Sequence, residues 1–95
     1  MREYELIYIV HPDLDESAFN DVIERVTNWI KESGGEVVNT DLWGNRTLAY
    51  PIRKQTEGQY VFMEIRIEPQ FGVELERNLR FLEPVMRFSL IVKDN

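Results

Sequence analysis

Few side chains in this sequence are equipped for covalent or acid–base chemistry. His11 is the only histidine and there is no cysteine, so no thiolate nucleophile or thiolate metal site can be built. His11 stands before Pro12 at the end of an apolar stretch, where a histidine most simply serves as a turn residue. Ser17, Ser33 and Ser89 have no histidine neighbour in sequence to act as a base. The many carboxylates fall on polar helical positions, where solvation accounts for them. No catalytic residue and no metal ligand is singled out.

The basic side chains carry more information. Arg46, Arg53 and Lys54 flank the stretch "TLAYPI". Arginine offers a planar fork of donors that matches phosphate. Arg2, Arg66, Arg87 and Lys93 are further candidates for anion contact. Arg77 and Arg80 pair more simply with Glu74, Glu76 or solvent. The formal net charge of −6 argues against a nucleic-acid partner for the surface as a whole. The charge is unevenly spread, however. Residues 1–41 hold ten acids against three bases, and residues 42–95 hold seven against eight. A local basic face is therefore expected in the second part.

These side chains need a scaffold. At 95 residues, 43% hydrophobic and 29% charged, the chain is expected to form one domain, residues 1–95, with one modest core. No apolar run approaches the ~18 residues of a membrane span. The opening "MREYELIYIV" carries two glutamates, unlike a signal peptide. A cytoplasmic location with no membrane partner is the plain expectation.

"EYELIYIV" is apolar on both alternating faces, as a central strand is. Asp15 is a good N-cap, and Phe19, Val22, Ile23, Val26 and Ile30 make one helical stripe. Gly34 and Gly35 then stop a helix that begins near Glu16 and runs to about Ser33. "EVVNTDLWGNRTLAYPI" is a second extended region, bent near Gly44. "RKQTEGQ" reads as a hairpin loop. "YVFMEIRIE" alternates, with Val61, Met63, Ile65 and Ile67 on one face and Tyr60, Phe62, Glu64 and Arg66 on the other. After a break at Pro69, Phe71, Leu75, Leu79 and Leu82 space as a second helix. "VMRFSLIVK" is a last strand, with Phe88, Leu90 and Val92 facing the core.

The order β-α-β-β-α-β, with right-handed crossovers, gives an α+β, ferredoxin-like split arrangement. Its four-stranded antiparallel sheet has strand order 4-1-3-2, both helices on one face and the other face open. The second strand is then an edge, which explains how it tolerates Pro51. An edge bearing Leu48, Tyr50 and Pro51 is also a place for a partner protein to dock. Tyr60 and Phe62 lie on the open face, where packing against neighbours is preferred to base stacking. The acidic loop "HPDLDES" has no glycine-rich run, which argues against phosphate binding of the acylphosphatase kind. A small-molecule regulatory or dimerisation domain is the remaining alternative, although that loop is poorly shaped for a ligand.

Three stretches, "REYELIYIVHPDLDE", "WGNRTLAYPIRKQTEGQYVFMEI" and "LRFLEPVMRFSLIVK", resemble bacterial small-subunit ribosomal protein six along nearly the whole chain. The selective element is the run holding Trp43, Gly44, Arg46, Leu48, Ala49, Tyr50, Pro51, Ile52, Lys54, Gly58 and Tyr60. The resemblance implies a ribosomal protein that binds the central domain of small-subunit rRNA as a heterodimer with small-subunit ribosomal protein eighteen. It implies no enzymatic activity, no cofactor and no small-molecule substrate. The RNA-contacting role would fall on Arg2, Arg46, Lys54, Arg87 and Lys93, with Arg53 a basic neighbour within the motif. Some members carry a long charged tail; here the sequence stops at Asn95, so no tail-dependent function is expected.

Overall fold

Asp15 starts the first helix as its residue type suggests: Oδ1 accepts the Ala18 N–H at 2.8 Å, satisfying a donor the helix cannot. Ser33 caps the other end. Beyond it Gly34, at φ +89, and Gly35 donate their N–H groups back to Lys31 and Ile30, the paired bonds of a Schellman motif.

The computed structural model describes residues 1–93. The chain runs through β1 (Arg2–Val10), α1 (Glu16–Glu32), β2 (Glu36–Ile52), β3 (Gln55–Ile67), α2 (Pro69–Phe81) and β4 (Val85–Val92). Pro69 opens α2, where its missing N–H costs nothing. The sheet order is β2-β3-β1-β4, all pairs antiparallel. That is the expected 4-1-3-2 order read from the opposite edge.

One face of the sheet holds the main core. Leu6, Tyr8 and Val10 of β1 and Val61, Met63, Ile65 and Ile67 of β3 pack with Val22, Val26 and Ile30 of α1 and Leu75 and Leu79 of α2. Tyr8 is fully buried, and its hydroxyl has no hydrogen-bond partner among the described residues.

The opposite face is not bare. Ile9, Leu48 and Met86 form a second buried cluster there, with Ile52 and Tyr60 against it. Its cause lies in the β2–β3 register. Thr47 pairs with Glu57 and Ile52 pairs with Gln55. The residues Leu48 to Pro51 therefore span the gap that Thr56 alone spans on β3. This large bulge folds inward over the sheet. Pro51 lies inside it, where the ladder asks for no N–H. The strand's edge position holds, and the bulge is the more specific reason for the proline.

The hairpin is also tighter than the sequence suggests. "RKQTEGQ" reads as a loop, but Gln55 is already paired. The turn consists of Arg53 and Lys54 at φ 51 and 65, the left-handed pair that a two-residue hairpin demands. Gly58 lies within β3, opposite Arg46.

A candidate RNA and partner interface

The registers place Gly44, Tyr60, Ile9 and Arg87 in one row across the sheet, on the face away from the helices. Arg87 stands three strand spacings, about 14 Å, from β2. Tyr50 nevertheless reaches it, with the Arg87 guanidinium carbon 5.2 Å from the ring centroid. The bulge, which also carries Leu48 onto Ile9 and Met86, brings Tyr50 inward toward it. Beneath the bulge is a cavity of about 240 Å³ lined by Ile9, Leu48, Tyr50, Ile52, Tyr60 and Arg87.

The hairpin tip is tied to the far side of the sheet. Arg53 donates from Nη1 to the Glu83 carbonyl at 2.8 Å and from Nη2 to the Val85 carbonyl at 3.2 Å. Its guanidinium is thus committed to the loop before β4. Lys54 beside it is exposed.

A second group of aromatic side chains lies farther along the same face. Trp43 stacks on Phe62, with centroids 5.4 Å apart and planes at 9°, and on Tyr60 at 6.4 Å and 16°. Tyr60 and Phe62 thus pack against a sheet neighbour, as expected. The Arg46 guanidinium carbon sits 5.0 Å from the Trp43 centroid, within cation–π range.

The basic residues singled out from the sequence fall into two groups. Arg46, Arg53, Lys54 and Arg87 gather at the hairpin end of the sheet. Lys93 lies at the other end, beyond Val92, and donates to Glu64 at 3.4 Å. Arg2 is opposite Ile67, and its alternation with Tyr4 and Leu6 assigns it to the helix-side margin rather than the open face. Among the partner-contact candidates, Tyr50 and Pro51 are exposed while Leu48 is buried against Ile9 and Met86. Leu48 anchors the bulge; Tyr50 and Pro51 are presented by it.

Sequence reasoning put Ile9 on the open face and Trp43 in the selective run, but it did not bring Met86 to this region or stack Trp43 on Tyr60 and Phe62. The Trp43–Gly44 pair carried a signal. Leu42 pairs with Val61 and Gly44 with Tyr60, leaving Trp43 unmatched, and Gly44 has φ +84. A large residue before a left-handed glycine in a strand marks a bulge.

Charge divides by layer. The two helices hold six acids and four bases, a net of −2, and the connecting segments 11–15, 68 and 82–84 add four acids. The strands, the hairpin turn and Lys93 hold six acids and seven bases, a net of +1. Among the described residues no group of three His, Asp or Glu side chains could hold a metal ion, and no helix is long and apolar enough to cross a membrane.

Comparison with known proteins bears on this geometry. Residues 3–93 match the family model of ribosomal protein S6. The small ribosomal subunit protein bS6 of Caldanaerobacter subterraneus subsp. tengcongensis is 46% identical over 95 residues, covering 100% of both chains. That of Clostridium novyi is 44% identical over 91 residues, covering 96% of each. The crystal structure of 30S ribosomal protein S6 from Thermotoga maritima superposes with a TM-score of 0.91 at 30% identity. The match covers 97% of this chain and 87% of that one.

Proposed function

The chain belongs to the ribosomal protein S6 family of small-ribosomal-subunit proteins, and from that premise we propose that it binds small-subunit rRNA together with a basic protein partner, small-subunit ribosomal protein eighteen. The observation that carries this reading is the hairpin end of the sheet. There Arg87 lies against the exposed Tyr50, and the exposed Arg46 and Lys54 flank Tyr50 and Pro51 along the chain. In this reading Arg46, Lys54 and Arg87 meet phosphates of the rRNA central domain. Arg53 holds Lys54 in place, while Lys93 at the other end of the sheet and Arg2 on its helix-side margin would be separate, secondary RNA contacts. Tyr50 and Pro51 receive the partner, with Leu48 fixing them from below.

Such contacts position a protein on RNA more than they read bases. A protein of net charge −6 gains little from the polyanion by itself, so a basic partner supplies the missing attraction. The alternative of a small-molecule regulatory domain draws no support from the cavity under the bulge. Its volume of about 240 Å³ is below the roughly 300–1,000 Å³ common for ligand pockets.

The test is filter binding to a central-domain rRNA fragment at near-physiological salt, with and without the partner. Binding is expected only with the partner, and Arg46→Glu with Lys54→Glu is expected to weaken it while the fold persists. Tight specific binding by the lone chain, or undiminished assembly by the double variant, would refute the reading.

A further inference from the structure

Arg46 and Trp43 are three residues apart. In a regular strand, side chains alternate, and residues 43 and 46 would point to opposite faces. Here they meet, because Trp43 is the unmatched residue of a bulge and Gly44 adopts φ +84. The bulge places both on the open face. The Trp43 ring is itself fixed from two directions. It stacks on Phe62 at 5.4 Å and Tyr60 at 6.4 Å, and its Nε1 donates to Asp41 Oδ2 at 3.2 Å. Arg46 then lies over the ring, 5.0 Å from its centroid.

We propose that Trp43 is the positioning residue for Arg46: the indole ring, backed by Phe62 and Tyr60, holds the guanidinium in place for phosphate. This rests on the reading that Arg46 meets rRNA phosphate. A free arginine side chain must lose rotamer entropy when it engages a phosphate. One already laid over an aromatic ring has lost part of it beforehand. Contact with a ring face leaves the donors at the edge of the guanidinium plane available. A planar cation and a planar ring make this contact well, and lysine would make it less well.

The test measures affinity for the rRNA fragment, with partner present, across a salt series for Trp43→Leu, Trp43→Phe, Arg46→Ala and the Trp43→Leu/Arg46→Ala pair. Arg46→Ala is expected to weaken binding and lower the slope of log K against log salt by about one. Trp43→Leu is expected to cost about two- to fivefold, the range of an exposed cation–π contact. Trp43→Phe should restore most of that, and Trp43→Leu should add nothing once Arg46 is alanine. An equal loss from Trp43→Leu with and without Arg46 overturns the inference. So does no loss from Trp43→Leu where Arg46→Ala does weaken binding, and in that case the phosphate role of Arg46 survives. If Arg46→Ala has no effect, the phosphate reading of Arg46 falls and the inference with it. A second measurement uses the unmodified protein. The Arg46 side-chain protons should show upfield ring-current shifts by NMR, and their absence overturns the proposal.

Discussion

A methyl group added at Gly58 would test the second core most directly. An alanine Cβ there would overlap Ile9 Cγ2 and lie 3.1 Å from Met86 Cε and 3.6 Å from Leu48 Cδ2. The methionine end is flexible and can give way. The Ile9 methyl is on a β-branched side chain with few rotamers, on a central strand paired on both sides. It cannot give way cheaply. Overpacking of this kind costs about 1–3 kcal/mol, against which alanine recovers about 0.4–1 kcal/mol through a less flexible unfolded chain. The net expectation for Gly58→Ala is a loss of about 1–2 kcal/mol, with about 4–8 °C of Tm lost per kcal/mol in a domain of this size. Gly72→Ala supplies the internal contrast. In α2 its Cβ would meet nothing closer than Leu90 Cδ2 at 3.7 Å, so helix propensity should yield up to about 1 kcal/mol of stabilisation. Urea titration and thermal melts followed by circular dichroism read both. A Gly58→Ala protein as stable as the parent would refute the account of this face.

Two further outcomes follow from the structure. Burial pushes the Tyr8 phenol upward from its ordinary 10.0, and the hydroxyl is unpaired, so Tyr8→Phe should be neutral or stabilising by about 1 kcal/mol. The folded-state value is the raised one, so Tyr8 leaves stability unchanged below about pH 10. Above it the unfolded state releases the proton first, and stability falls by up to about 1.4 kcal/mol per pH unit. Chemical denaturation across alkaline pH should show this fall diminished in Tyr8→Phe, and identical profiles would refute it. Arg53→Ala removes two bonds to main-chain carbonyls. The side chain is exposed, so the global cost should be about 1 kcal/mol, with faster amide exchange confined to the hairpin tip. Unchanged exchange there would show that the tether does not hold the tip.

The element order and strand order were legible because they rest on strong periodicities and on the handedness of crossovers. The stripe from Phe19 to Ile30 and the alternation from Tyr60 to Ile67 admit one reading each. What escaped was set by tertiary contacts. Arg53 and Lys54 lack the asparagine and glycine that usually mark a two-residue turn. Their left-handed conformation coexists with Arg53's bonds to Glu83 and Val85, and local preference could not reveal it. The nearest glycine, Gly58, pointed to a loop, yet it serves β3 by making room for Ile9. Leu48, Tyr50 and Ile52 alternate as if on one face of a strand. The bulge instead buries Leu48 and leaves Tyr50 over Arg87. Of the candidate site, the residue types near the hairpin were readable. Their division between two ends of the sheet, and the stacking of Trp43 beneath Arg46, required the register.

The separation of charge between layers has a consequence for how the molecule approaches a polyanion. With a net of −2 on the helices and +1 on the strands, hairpin turn and Lys93, the protein is a dipole as well as an anion. Within roughly a Debye length, about 8 Å at physiological ionic strength, the field of the RNA exerts a torque that turns the helices outward before any contact forms. The overall repulsion makes encounters less frequent, while the torque makes a larger share of them arrive in register. Added salt weakens both effects, so the rate of productive encounter should depend on salt less steeply than the net charge alone would imply.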